Sequence, residues 1–308
     1  MFLLHGDSRY LDVLERVIYN GFLSGVAMTG DRFFYPNPLE TDGKDKFNMG
    51  SCERAPWFGC SCCPVNDVRF IPEIASYIYA TRGSDLFVNL YLSGTATAKV
   101  TGTPVEIRQD TRYPWDGKVN LAFPSFGIRF NGMIVRHSKK FTLNLRIPGW
   151  ARNEPAPSDL YHYDDGLDPQ IRLTVNGKPT PLNIEKGYAR ITRTWRRGDT
   201  VTLEMDMPAR RVAAHGAVQA DRDRFALERG PLVYCAEGTD NGGRVLDKVF
   251  PRKVTLQAQE RADLLGGIVT VKLADEASGL ALTCIPYYAW CNRGPNEMRV
   301  WFPTKPEP

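Results

Sequence analysis

The sequence predicts an α+β protein that is mostly β: two helices and a cysteine-rich loop, followed by two antiparallel β-sandwich domains. Three observations predict it. Apolar residues recur at helical spacing only within residues 1–80. Beyond Arg82 and Gly83, short β-branched and aromatic runs alternate with Gly-containing turn signals. That β region is long for one sandwich, and Pro208, after "TVTLEMDMP", divides it into two of ordinary size. The domains therefore read as 1–80, 81–207 and 208–308.

From residue 8 to 25, Leu11, Leu14, Val17, Ile18 and Phe22 share one helical face. Asp7 or Ser8 is placed to cap it and Gly21 or Gly25 to end it. A loop rich in Pro, Gly and Asp follows from 35 to 64. Val68, Ile71, Ile74, Ala75 and Ile78 then predict a second helix over 66–80, with Pro72 either kinking it or lying in its first turn. The strands follow as "LFVNLYL", "TATAKV", "FTLNLRIPGW", "IRLTVNGKP", "YARITRTW", "DTVTLEM", "PLVYCAE", "GIVTVKL" and "MRVWF". Within them Asn176-Gly177 is the signature of a two-residue type I′ hairpin turn. No fixed-period repeat and no low-complexity tract interrupts the pattern.

Composition narrows the function. The 308 residues are 43% hydrophobic and 24% charged, as expected of a folded globular protein. A net charge of +4, with no basic run interleaved with aromatics, argues against a nucleic-acid partner. No apolar stretch is long enough to span a bilayer. The opening "MFLLHGDSRY" lacks the basic region and cleavage site of a signal peptide, so the compartment is unknown.

Four of seven cysteines, Cys52, Cys60, Cys62 and Cys63, fall in one short window around "WFGCSCCP". Three readings compete: disulfides, a structural zinc site and a reactive thiolate. Adjacent cysteines such as Cys62 and Cys63 form a strained disulfide, whereas a Cys52–Cys60 pair leaves two sulfurs unexplained. A zinc ion accepts vicinal thiolates at tetrahedral corners, although the Cys52 to Cys60 separation is long for a zinc finger. Small buried cysteines are the plainest alternative. Around the cluster, Trp57, Phe58, Phe33, Phe34 and Tyr35 stand near Asn37, Glu40 and Asn66, a mixture suited to the faces and edges of a sugar ring; Phe33 and Phe34 themselves read as core.

The blocks "DVLERVIYNGFLSGV", "RFFYPNPLE", "WFGCSCCPVN", "LRIPGWA" and "ALERGPLVYCAE" occur in an order that resembles glycoside hydrolase family 127, the β-L-arabinofuranosidase-like enzymes. The resemblance implies an α/α toroid followed by two β-sandwiches, residues 1–80 being the last part of that toroid. It implies retaining hydrolysis of β-L-arabinofuranosides or related plant cell-wall sugars by a zinc-bound cysteine. By motif position Cys62 is that nucleophile and Cys63 a zinc ligand, with Glu15 and Tyr35 contacting the sugar. Cys60 and Cys52 lie near the site without an assigned role.

In the family a Glu-x-Cys motif completes the zinc shell and a further glutamate serves as acid/base, both upstream of the position where this sequence opens. The sequence is therefore expected to be a C-terminal portion, with Met1 an internal methionine, zinc binding weak or absent, and no activity by itself. A separate upstream toroid fragment is the partner that would restore function. The helices, short of neighbours, are expected to expose apolar surface and favour association.

Two other function classes stand beside this one: a non-catalytic carbohydrate-binding or scaffold protein of two sandwiches, and a structural zinc protein. Cys235, Cys284 and Cys291 read as buried thiols, with a Cys284–Cys291 pair as the alternative. His5, His137, His162 and His215 are scattered and show no ligand spacing. Asp164, Asp165 and Asp168 read as an acidic surface loop rather than a calcium loop. Trp115 and Trp150 read as sandwich core.

Overall fold

A computed structural model describes residues 1–130, 133–136 and 138–305; His137 lies outside them. The chain divides into two compact units, one of residues 1–13, 73–153 and 168–207, the other of residues 14–72, 154–167 and 208–308. The protein is mostly β, as the sequence pattern requires.

The first unit holds two sheets. The eight-stranded one includes Thr103–Thr111, Lys118–Ala122, Ile171–Val175 and Thr200–Met205; the five-stranded one includes Tyr79–Arg82, Asp85–Val88, Ser138–Arg146 and Tyr188–Arg196. Alternation buries Val105, Ile107, Leu173, Val201 and Leu203, while Phe123, Phe126, Phe141 and Trp195 form an aromatic centre with Phe123 and Trp195 rings 4.9 Å apart. The predicted hairpin forms: Asn176 and Gly177 have φ of 52° and 72°, and Val175 pairs with Lys178. Asp85–Val88 departs from the antiparallel pattern and runs parallel to Ser138–Arg146.

Two helices enter this unit at its N-terminal end, α1 (Phe2–His5) and the start of α2 (Arg9–Arg16). The Arg9 N–H bonds Asp7 Oδ1 at 3.0 Å, the cap the sequence suggested. Asp12 fixes α2 through Arg146 Nη1 at 2.7 Å, Arg152 Nη2 at 3.0 Å and the Gly149 N–H at 3.2 Å. The "LRIPGWA" block is thus the receptor for one helical carboxylate. Gly187, with φ of +76°, lets the chain pass Ser8 closely: a Cβ there would stand 1.8 Å from the Ser8 hydroxyl.

The second unit is built on a ten-stranded sheet that branches at Leu232–Glu237, which pairs with Arg224–Arg229, Leu280–Pro286 and Met298–Arg299. Its core includes Phe225, Phe250, Phe302, Tyr234 and Trp290. The "ALERGPLVYCAE" block again binds helix. Glu228 pairs with Arg16 and accepts from Tyr163 Oη at 2.9 Å, while Asn20 bonds the Pro231 carbonyl at 2.9 Å and the Val233 N–H at 2.7 Å.

Past Arg16 the helix widens into a π turn over Val17–Phe22 and ends in a 3₁₀ turn, Leu23–Gly25. Periodicity placed this segment as one regular helix. The Asn20 side chain donates to the Arg16 carbonyl at 3.0 Å, an interaction that accompanies the wider turn.

The second helix, α3 (Cys62–Glu73), begins and ends earlier than the 66–80 predicted from apolar spacing. Pro64, read from the sequence as the last residue of the loop, lies in the first turn, where its missing N–H is not needed. The Val65 N–H bonds the Ser61 carbonyl at 3.1 Å. Pro72 lies near the far end, after which the chain passes through a 3₁₀ turn, Ile74–Tyr77, into a strand. Val65, Val68 and Ile71 leave an apolar stripe on α3 that is 46%, 58% and 49% exposed.

Candidate active site

The start of α3 gathers the sulfur, within the second unit. Cys62 Sγ is 3.8 Å from Cys60 Sγ and 3.9 Å from Cys63 Sγ, and the Tyr35 hydroxyl lies 3.1 Å from Cys62 Sγ and 3.6 Å from Cys60 Sγ. Cys60 and Cys62 are exposed and Cys63 is half-buried.

Tyr35 is held from two sides. Its ring meets Phe58 edge-on with centroids 5.4 Å apart. Its N–H donates to Asn48 Oδ1 at 2.7 Å, and the Asn48 amide donates to the carbonyls of Glu53 at 2.7 Å and Phe33 at 3.3 Å. Asn48 is therefore a buried clasp between the segment carrying Tyr35 and the segment leading to the cysteines. Phe33 and Phe34 are core, with Phe34 stacked on Trp290 at 4.8 Å. The Arg54 guanidinium lies over Phe34 and bonds the Ser24 and Trp290 carbonyls at 2.7 and 2.8 Å; burial holds its pKa down to about 10.

These contacts set the acidity of the thiols. The Tyr35 hydrogen bond, followed by those of Cys60 and Cys63, lowers the Cys62 pKa. The N-terminus of α3 favours a thiolate in the same sense. Tyr35, the donor, is raised correspondingly. Burial raises Cys63, and the Cys62 hydrogen bond adds to that. Asp67, four residues beyond Cys63 on the same helix face, is pushed up to about 6 by burial.

Of the residues singled out in sequence, Tyr35, Cys60, Cys62 and Cys63 come together. Glu15 lies on α2 with 2% exposure. Cys52 shows no such sulfur contact among the described residues; its backbone carbonyl is 3.8 Å from Cys291 Sγ. All seven cysteines are free thiols, so neither the Cys52–Cys60 nor the Cys284–Cys291 disulfide is present. Asn37 bonds the Gly21 carbonyl, Asn66 bonds the Cys62 carbonyl, and Glu40 pairs with Arg224 and Arg299. Trp57 is 56% exposed, whereas Trp150 is core and donates to Tyr113 Oη at 3.1 Å. Asp165 and Asp164 are engaged by Arg210 and Arg211.

Asn48 and Asp67 were not read from the sequence. Asp67 had a signal, its i+4 spacing from Cys63, which becomes visible once α3 is known to start at Cys62. Asn48 had none, because a loop amide reveals its bonds only in three dimensions.

Zinc can be tested against these residues. Sulfur separations of 3.8 and 3.9 Å suit edges of a tetrahedron with metal–sulfur bonds of about 2.3 Å. Among the described residues, however, no three or more His, Cys, Asp or Glu side chains converge on one point. The set does not complete a four-coordinate zinc site.

Comparison with known proteins accounts for nearly the whole chain. Residues 1–76 match the β-L-arabinofuranosidase GH127 catalytic domain, residues 85–207 the GH127 middle domain and residues 209–303 the glycoside hydrolase family 127 C-terminal domain. A non-reducing end β-L-arabinofuranosidase of Bifidobacterium longum is 34% identical over 332 aligned residues, covering 97% of this chain and 46% of that protein. A solved GH127 β-arabinofuranosidase superposes with a TM-score of 0.89 at 42% identity, covering 99% of this chain and 47% of that one. A GH127 β-L-arabinofuranosidase from Geobacillus stearothermophilus T6 does so with a TM-score of 0.84 at 37% identity, covering 99% and 48%. The chain spans about half the length of these relatives. With three matching domains in order and a shared backbone across 99% of its length, the chain belongs to glycoside hydrolase family 127.

Proposed function

We propose that the protein serves retaining hydrolysis of β-L-arabinofuranosides or related plant cell-wall furanosides, with Cys62 as nucleophile. The observation that carries this reading is the Tyr35 hydroxyl 3.1 Å from Cys62 Sγ at the first turn of α3. A relatively acidic, exposed thiol with a hydrogen-bond donor on its sulfur has the character required of a nucleophile that must later depart.

The thiolate attacks the anomeric carbon from the face opposite the leaving oxygen, forming a carbon–sulfur bond as the glycosidic bond breaks. A general acid protonates the departing oxygen; the same group then takes a proton from the water that displaces sulfur. Tyr35 stabilises negative charge on sulfur before the first step and again as sulfur leaves in the second. Glu15 and Tyr35 are the proposed sugar contacts of this chain.

Zinc, where bound, would sit on Cys62 and Cys63, with its remaining ligands from outside residues 1–308. Such an ion holds sulfur as thiolate and lowers its basicity. The acid/base is likewise proposed to come from outside, as the greater length of the relatives allows. The chain alone is then inactive, and the upstream part of the catalytic domain, in the same chain or a separate one, restores activity. The test is hydrolysis of an aryl β-L-arabinofuranoside by the chain with and without that part. Turnover only with it, abolished by Cys62→Ala, supports the reading; turnover unchanged in Cys62→Ala overturns it.

A further inference from the structure

Cys60 has no part in the displacement described above, yet it is exposed and stands 3.8 Å from the sulfur of Cys62. It precedes α3, so its backbone is not bound by the helix, and one residue separates it from Cys62. A disulfide requires sulfur atoms about 2.05 Å apart and Cα atoms within about 7 Å. Residues i and i+2 meet the second condition in any bent backbone, and side-chain rotation supplies the first. The alternative partner, Cys63, is adjacent to Cys62 within the first turn of the helix, where a bridge is strained. Cys63 is also half-buried, whereas Cys60 and Cys62 are both exposed.

We infer that Cys60 and Cys62 form a peroxide-oxidisable dithiol, in which Cys60 is the resolving thiol for Cys62. The Cys62 thiolate attacks a peroxide oxygen and breaks the O–O bond, giving Cys62 sulfenic acid and hydroxide, which takes up a proton to become water. Cys60 sulfur then attacks Cys62 sulfur, the S–O bond breaks, and the departing hydroxide leaves as water with the Cys60 proton. In sum two thiols and one hydrogen peroxide give one disulfide and two waters: the sulfurs lose two electrons and the peroxide oxygens gain them. Thiol–disulfide exchange with a small dithiol reverses the change. The bridge withdraws the sulfur that faces Tyr35. Its consequence for hydrolysis rests on Cys62 being the nucleophile; its formation does not. Cys60 thereby protects Cys62 from the irreversible sulfinic and sulfonic states.

The experiment uses the whole chain and no sugar, so its outcome is independent of the glycosidase reading. The reduced protein is exposed to a small excess of hydrogen peroxide, denatured with an alkylating agent and cleaved with trypsin. Residues 55–69 form one tryptic peptide carrying Cys60, Cys62 and Cys63. The expected product has lost two hydrogens, carries one alkyl group on Cys63, and returns to three alkyl groups when dithiothreitol precedes alkylation. In Cys60→Ser the two-hydrogen loss disappears, and oxygen accumulates on Cys62 in a form dithiothreitol does not remove. The inference is overturned if the oxidised wild-type peptide carries three alkyl groups, if fragmentation places the bridge on Cys63, or if Cys60→Ser still loses two hydrogens.

Discussion

The hydroxyl of Tyr35 lies 3.1 Å from the sulfur of Cys62, across a separation of 27 positions in the chain. The pairing joins a loop residue to the first residue of a helix, and each alters the acidity of the other. A hydrogen bond to a thiolate stabilises the charged form, so Cys62 becomes easier to ionise and Tyr35 harder.

Removing the donor should reverse this. Tyr35→Phe keeps the ring against Phe58 and deletes only the hydroxyl. The Cys62 pKa then rises, and alkylation of Cys62 near neutral pH slows several-fold while the rate at high pH is unchanged. Following alkylation against pH by peptide mass measures the shift; an unmoved profile would mean that the hydrogen bond does not govern the thiol.

Asn48 should matter through position and stability together. Asn48→Ala strands the Tyr35 N–H and the Glu53 carbonyl, groups whose loss of partners costs about 1–3 kcal/mol each when they remain buried, while the Phe33 carbonyl keeps the Ala55 N–H. Urea unfolding should show a loss in the low end of that range, because the loop can readmit water. Cys62 alkylation should move toward the Tyr35→Phe profile.

Asp67 predicts a pH dependence of definite sign. Its pKa rises on folding from 3.8 to about 6, so the native state holds the proton more tightly than the unfolded state. Its contribution to stability is full below 3.8 and is lost as pH climbs through about 6. Asp67→Asn removes that dependence, and the difference in urea midpoint between variant and wild type should grow in favour of the variant across this window. A constant difference would contradict it.

Asp12 should be the most sensitive polar position of the first unit. Its partner Arg146 has a side chain with no exposure, and Asp12 also binds Arg152. Asp12→Ala leaves a buried guanidinium without its carboxylate, a change that costs about 3–5 kcal/mol. Thermal or urea unfolding reads it directly; a loss below about 1 kcal/mol would place the pair among exposed ion pairs instead.

The fold was legible because its signals are local. Leu173, Val175, Val201 and Leu203 alternate as strand residues must, and Asn176-Gly177 announces its own hairpin. The start of α3 was hidden because Cys62, Cys63 and Pro64 add nothing to an apolar period, and a proline in a first turn looks like one that ends a helix. The π turn at Val17–Phe22 depends on where Asn20 finds partners, which are some two hundred residues away. In the site, Cys62, Cys63 and Tyr35 were found through motifs rather than chemistry. Their spacing alone left metal, disulfide and buried thiol open, since only the fold brings Tyr35 to the sulfur.

The central claim is that Cys62 is the sulfur presented to the sugar. It is tested most directly by an L-arabinofuranose-based affinity label bearing a bromoacetyl group at the anomeric position, with the modified residue identified by peptide mapping. The account predicts that Cys62 takes the label ahead of Cys60 and Cys63, and that free L-arabinose slows the reaction while D-glucose does not. Label on Cys60, or labelling indifferent to either sugar, would contradict it.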